Sequence, residues 1–252
     1  MSRLALVLSL LLASRALAQS PARDEAPPPR TGEELIQQMR QRYDGKWYRT
    51  LTFVQKTTLP DGKIEIWYEA LSAPGRLRID VAPLDSMNTL IFSNDSLYEF
   101  QRGKLARATA QVHPLLVLGF DVYVQPAGVT VQKLRSLDFD LGKIHDTVWQ
   151  GRPTYVVGAE AGDSVSRQFW IDKERLYFVR SLEPAKQNAS MVLDIRFQKY
   201  RPMGGGWLEM EVLFLAGGEQ RMKEEHTRPA VDVRLDPTIF NPEQWTPPTW
   251  LR

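Results

Sequence analysis

The chain has 252 residues with 32 Lys and Arg against 30 Asp and Glu, 43% hydrophobic and 25% charged residues, and no cysteine. That composition belongs to a globular protein with a real core rather than a disordered one. It excludes disulfide stapling, and a near-balanced charge argues against a partner held by its phosphate backbone, so no nucleic acid is expected.

The first elements read as address and linker. Arg3 precedes a run from Leu4 to Leu12 that is apolar except for Ser9, and Ala16-Leu17-Ala18 has the small-x-small form of a cleavage site. The run is about half the ~20 residues that a membrane span needs, so residues 1–18 are read as a signal peptide cleaved after Ala18. Its removal takes away Arg3 and Arg15, leaving 30 basic and 30 acidic residues. Export without cysteine points to the periplasm of a bacterial envelope, because an oxidising compartment would permit disulfides and none can form. Residues 19–30, with Pro21 and Pro27-Pro28-Pro29, form an extended linker.

At Thr31 the pattern changes. Thr31-Gly32-Glu33-Glu34 reads as a capping box, and Leu35, Ile36, Met39 and Tyr43 follow at helical spacing, which predicts an amphipathic helix of ~11 residues. From Trp47 the period becomes two. Turn pairs recur at Asp61-Gly62, Asn94-Asp95, Arg102-Gly103, Gln150-Gly151, Asp172-Lys173 and Ala216-Gly217-Gly218, which predicts an antiparallel sheet of about ten strands. Two stretches break the alternation. "HPLLVLGFDVYVQP" with "VTVQKLRSL" is either a short helix pair or a helix and a strand, and "LDPTIFNPEQWTPPTW" is a Pro-rich arm expected to cross a sheet edge.

The alternation divides the strands into faces. Ile64, Ile66, Tyr68 and Ala70 are read as one apolar face against Glu65 and Glu69. Leu77, Ile79 and Val81 oppose Arg76, Arg78 and Asp80, and Met191, Leu193, Ile195 and Phe197 oppose Asp194 and Arg196. Ten strands at ~4.8 Å make a sheet roughly 45 Å wide, whereas an 11-residue helix covers about 16 by 10 Å. The sheet must therefore curl around its helices. A closed barrel plugged by them would leave an ordinary core; an incomplete barrel with the helices as a lid would leave an apolar concavity of the kind that marks a ligand site.

Several stretches, in order along residues 31–242, resemble the LolA family of periplasmic lipoprotein carriers and lipoprotein-sorting proteins. Phe53-Val54-Gln55-Lys56 is similar to its Phe-x-Gln on the first strand. "GRLRID" after Pro74 resembles its Pro-x-x-x-Arg-hydrophobic strand, "IFSNDSLYEFQRGK" and "FWIDKERLYFVR" resemble its hairpins, and "LDPTIFNP" its terminal Phe-x-Pro. Ala73 departs from the basic residue that precedes this Pro in the carrier. The resemblance implies a mainly β, α+β fold: an incomplete antiparallel β-barrel with short helices as a lid, in a single domain over residues 31–252.

It also implies a function, that of a periplasmic carrier or chaperone holding acyl chains of lipoproteins or lipids on their way to the outer membrane. On this reading Phe53, Ile66, Tyr68, Leu77 and Ile79 line the cavity together with Phe92, Phe100, Phe169, Ile195 and Phe214. Leu35, Met39, Leu116 and Phe120 close it. The partners would be the acyl chains, an inner-membrane release complex and an outer-membrane acceptor, with the carrier itself a monomer.

The alternative is an envelope scaffold or sensory domain with a plugged half barrel that binds another protein. Neither reading needs a cofactor or a metal, and neither is enzymatic. His113, His145 and His226 occur in no metal-ligand spacing, no Gly-x-Ser-x-Gly elbow is present, and Asp138/Asp140 and Glu224/Glu225 read as solvated acidic pairs. Trp67, between Glu65 and Glu69, is read as either part of a docking surface or packed beneath the C-terminal arm.

Overall fold

The computed structural model describes residues 27–185 and 188–251. The expected signal peptide and most of the expected Pro-rich linker lie outside these residues. The first described element is α1 (Gly32–Arg42), and its start follows from the capping chemistry: the Thr31 side chain accepts from Glu34 N at 3.1 Å. The Glu34 carboxylate in turn accepts from Arg30 N at 2.7 Å rather than from Thr31 N. Thr31→Ala is expected to cost ~1 kcal/mol in chemical denaturation, with Thr31→Ser near neutral, because only a side-chain oxygen satisfies that orphan amide.

Six strands follow: β1 (Thr50–Thr58), β2 (Ile64–Ser72), β3 (Arg76–Val81), β4 (Asn88–Ser93), β5 (Ser96–Gln101) and β6 (Lys104–Ala110). A helical segment then holds α2 (Pro114–Gly119), a 3-10 turn (Asp121–Tyr123) and α3 (Ala127–Ser136). It resolves the ambiguous Leu-rich stretch as helix throughout. The chain returns to strands with β7 (Ile144–Trp149), β8 (Arg152–Val157), β9 (Gln168–Asp172), β10 (Phe178–Ala185) and β11 (Asn188–Gln198). After them come β12 (Arg201–Met203), β13 (Gly206–Leu208), β14 (Glu211–Ala216) and β15 (Glu219–Val231).

All but β12 and β13 join one antiparallel sheet of 13 strands, in the order β6-β5-β4-β3-β2-β1-β15-β14-β11-β10-β9-β8-β7. The architecture is mainly β, with the sheet not closed into a barrel and a few short helices. It has more strands than the turn spacing suggests. The turn residues explain the tight hairpins: Asn94 and Asp95 both take left-handed φ, as do Arg102-Gly103 and Gln150-Gly151, the geometry that matches strand twist.

The two halves of the concave face are covered differently. Over β8 and β9, α1 and the loop after α3 seal the sheet: a Cβ on Gly32 would sit 2.5 Å from Val157 Cγ1, and Phe139 meets Phe169 edge to face at 5.4 Å. Leu35, Met39 and Phe169 are fully buried in this half. Leu35 and Met39 are therefore core residues rather than a lid, and Phe169 lies beneath helix-side aromatics rather than on a cavity wall. Over β1–β4, β11, β14 and β15, α2 and its flanks approach, and a cleft remains.

The convex face carries a correction. The register of β1 with β2 pairs Phe53 with Glu69 and Gln55 with Trp67, which puts Glu65, Trp67, Glu69 and Leu71 on the concave side. Ile66, Tyr68 and Ala70 point the other way, so the faces of this strand are the reverse of the sequence-based assignment. Phe100, paired with Thr89, is also convex and stacks on Trp245 at 6.0 Å. The cause is the C-terminal arm, residues 235–251. Instead of crossing an edge, it lies over the convex face, where Ile239 and Phe240 pack on Ala70. With both faces of these strands covered, alternation no longer tells inside from outside.

Arg78 holds the arm. Its Nε and Nη2 donate to Asp80 at 2.8 and 2.9 Å, Nη1 donates to the Ile239 carbonyl at 3.1 Å and Nη2 to that of Thr246 at 2.7 Å. Asp80 also accepts from Thr89 Oγ1 at 2.8 Å and Trp250 Nε1 at 3.3 Å. Among the described residues, no helix is long and apolar enough to cross a membrane.

Candidate functional site

The cleft on the open half of the concave face has a volume of about 350 Å³, within the ~300–1,000 Å³ of ordinary ligand pockets. Its wall runs from Leu90 and Phe92 on β4 to Glu183 on β10. Those strands are seven positions apart, roughly 34 Å across if the sheet were flat, so their meeting around one cleft reflects strong curvature. A larger recess of about 820 Å³ opens beside Asp85–Asn88, but it is the more open to solvent and lies between surface turns.

Six of the ten residues assigned to the cavity line this cleft: Phe53, Leu77, Ile79, Phe92, Ile195 and Phe214. Of the four assigned to the lid, Leu116 and Phe120 form its helical rim, with Pro114 and Leu115 beside them. Ile66, Tyr68, Phe100 and Phe169 are not part of the lining, for the reasons of face and burial given above. The rim is positioned by local chemistry. His113 caps α2 by accepting from Leu116 N at 3.2 Å and packs edge-on against Phe92 at 4.6 Å. Gly119 lets α2 approach the Phe197 ring, which a Cβ would meet at 3.2 Å. Asp121, buried behind the rim, accepts from Gly75 N at 2.9 Å and ties the segment to the β2–β3 turn. Burial pushes its carboxyl up to about 7.

The floor of the cleft is polar, which the sequence reading does not anticipate. Gln55, Glu69, Glu209, Glu224 and His226 come together there from β1, β2, the residues before β14, and β15. The His226 ring nitrogens lie 2.9 Å from the Glu209 carbonyl oxygen and 3.2 Å from Gln55 Oε1, and the Gln55 amide donates to Thr57 Oγ1 at 2.9 Å. Burial is the main force on every ionisable group here. It holds His226 and His113 down at about 4, and it raises Glu209 and Glu224 to about 8. Glu69 is held well above the carboxylate range by burial and then by Glu224 and Glu209. At neutral pH Glu209 and Glu224 are largely protonated and the imidazoles neutral, so these groups add little charge to the floor.

Glu224 and Glu225 are therefore not one solvated pair: Glu224 faces the cleft, and Glu225 faces outward to Lys223 and Lys56 at 3.0 and 3.3 Å. Trp67 neither faces solvent nor packs under the arm; it lines the cleft and donates to Glu65 at 3.1 Å. One sign of the floor was in the sequence, since Phe53-x-Gln55 and Glu224-x-His226 each place a polar side chain on one face with period two. Among the described residues, no group of three His, Asp or Glu is arranged to hold a metal ion.

No protein-family model matches the sequence, and no curated protein matches it. Solved structures do share its fold. One described as an outer membrane lipoprotein-sorting protein domain, from Vibrio parahaemolyticus, aligns with a TM-score of 0.55 and 13% identity over 84% of this chain and 97% of that one. A DUF1329 family protein from Desulfovibrio piger aligns at 0.54 and 15% identity, covering 83% and 95%. A LolA superfamily protein from Nitrosomonas europaea aligns at 0.50 and 11% identity, covering 84% and 97%. The chain has a LolA-like fold.

Proposed function

We propose that this protein is a periplasmic carrier that holds the acyl chains of lipoproteins or lipids in its cleft during transfer towards the outer membrane. The observation that carries this reading is the cleft itself, an apolar, helix-rimmed hollow on the concave face of a sheet that stays open. The shared fold supports it, since two of the similar structures are described as lipoprotein-sorting and LolA superfamily proteins. Binding would be physical rather than covalent. At ~0.8 kcal/mol per buried CH₂, a sixteen-carbon chain contributes on the order of 10 kcal/mol gross before ordering costs. Loading would then need a donor such as an inner-membrane release complex, and unloading an outer-membrane acceptor.

The test is native mass spectrometry of the mature protein, prepared from a bacterial envelope without detergent, followed by solvent extraction. Near-stoichiometric phospholipid, fatty acid or acylated peptide is the expected result. A clean apo mass that takes up no added amphiphile would overturn the reading and turn attention to a plugged barrel with a protein partner. Phe214→Asp, which places a charge on the apolar wall, is expected to weaken uptake of an apolar dye at least tenfold without loss of the folded circular-dichroism spectrum; unchanged uptake would remove Phe214 from the site.

A further inference from the structure

We propose that the floor of the cleft is a subsite for a primary ammonium group carried by the apolar ligand, received among Glu69, Glu209 and Glu224 beside His226. The inference rests on the carrier reading and adds to it the chemistry of the ligand's polar end.

Three observations point the same way. The first is that Glu69 and Glu209 are only 4% and 2% exposed, line the cleft, and receive no side-chain hydrogen bond from any described residue. A buried carboxyl that no side-chain donor reaches is costly; Glu209 is met only by its own backbone N–H, and both carboxyls line space that a ligand can enter. The second is the charge inventory of the lining. Four carboxyls, Glu69, Glu183, Glu209 and Glu224, face the cleft, and among the described residues no lysine or arginine lines it. Arg167 pairs with Glu183 from outside, while the two histidines are neutral. An incoming cation would let these acids ionise and would find three acceptors without a competing positive charge, whereas an incoming carboxylate would meet four acids and, among the described residues, no lysine or arginine to offset them.

The third is geometric. Glu69 on β2, Glu209 before β14 and Glu224 on β15 reach the floor from separate segments, so the cation they would receive is one that brings its own donors. An ammonium has three. Its tail would lie along Phe53, Ile79 and Phe92 towards the rim.

The experiment compares three twelve-carbon probes on the mature protein at pH 7, each below its micelle or solubility limit, by displacement of a bound apolar dye: dodecylamine, dodecanol and dodecanoate. Dodecylamine is expected to bind at least tenfold more tightly than dodecanol, and dodecanoate most weakly. In Glu69→Gln/Glu209→Gln/Glu224→Gln, dodecylamine should fall to the affinity of dodecanol while dodecanol stays within about twofold. Should the triple variant not fold, Glu224→Gln alone, at a half-buried strand position, should lower the amine preference about threefold.

Equal binding of amine and alcohol to the wild type, or a preference that survives the substitutions, overturns the subsite and leaves the apolar cleft standing. Failure of all three probes to displace the dye overturns both.

Discussion

Arg78→Ala is expected to destabilise the protein by about 3–5 kcal/mol, the cost of breaking a buried ion pair from one side, and to free the C-terminal arm. Arg78 and Asp80 have side chains 0% and 3% exposed, so alanine would strand the Asp80 carboxylate among Thr89 and Trp250 with its main counter-charge gone. The Ile239 and Thr246 carbonyls would lose their donors at the same time. Arg78→Lys should rescue little. An ammonium cannot make two parallel bonds to Asp80 and still reach both arm carbonyls, because the planar fork sets that geometry.

Arg78→Met/Asp80→Leu should lose less than Arg78→Ala, since it removes both charges together. Urea denaturation gives the energies, and limited proteolysis gives the mechanism: in Arg78→Ala, cleavage within residues 235–251 should precede unfolding of the sheet. Cleavage only after global unfolding would show that the arm does not depend on Arg78.

The same arm explains what the sequence could and could not tell. Thr31 with the stripe Leu35, Ile36, Met39 was legible because cap and period are local signals that agree. The hairpin turns were legible because left-handed backbone at Asn94-Asp95 or Gln150-Gly151 favours a few residue types. The faces of β3 and β11 were legible because charge on one side opposes aliphatic residues on the other. The faces of β2 were not. Period two gives two faces without saying which is inside, and an error of one residue inverts the strand. Ala70 is apolar because Ile239 and Phe240 of the arm pack on it, and Glu69 faces inward because the cleft holds carboxyls. The arm's destination depends on tertiary contacts of Arg78 with residues more than 160 positions away, which no local pattern records. The acidic floor was hidden for a related reason: four separate segments supply it, and each acid alone resembles a surface residue.

That floor sets the second large effect, a loss of stability as pH rises through neutrality. Glu209 has an ordinary value of 4.5 and is raised by burial to about 8. Between those values the folded protein keeps a proton that the unfolded chain has released. Its contribution is thus present in full below 4.5, declines as pH rises, and is lost above 8. Glu224 behaves likewise, raised to about 8, and Glu69 shifts in the same direction.

The other groups facing the floor act elsewhere or not at all. His226 on β15 and His113 at the rim are lowered from 6.5 to about 4, so their contribution is complete above 6.5 and is lost as pH falls through 4; Glu183 on β10 is already paired with Arg167. Above pH 6.5 these acids set the slope together with Asp121 behind the rim, raised by burial to about 7; a Glu209 variant leaves Asp121's share in place. Glu209→Gln should therefore be within ~1 kcal/mol of the wild type at pH 5, where a protonated acid and an amide are nearly isosteric. At pH 9 it should be more stable by roughly 2–5 kcal/mol, a scale set by 1.36 kcal/mol per pKa unit. Urea denaturation at both pH values measures the difference. A variant equally displaced at pH 5 and pH 9 would mean that Glu209 ionises without cost, and that the floor is wetter than its burial implies. The same protonation would also govern cargo: an apolar chain meets protonated Glu209 and Glu224 at pH 7, whereas both ionised at pH 9 would oppose it unless a cation lies among them.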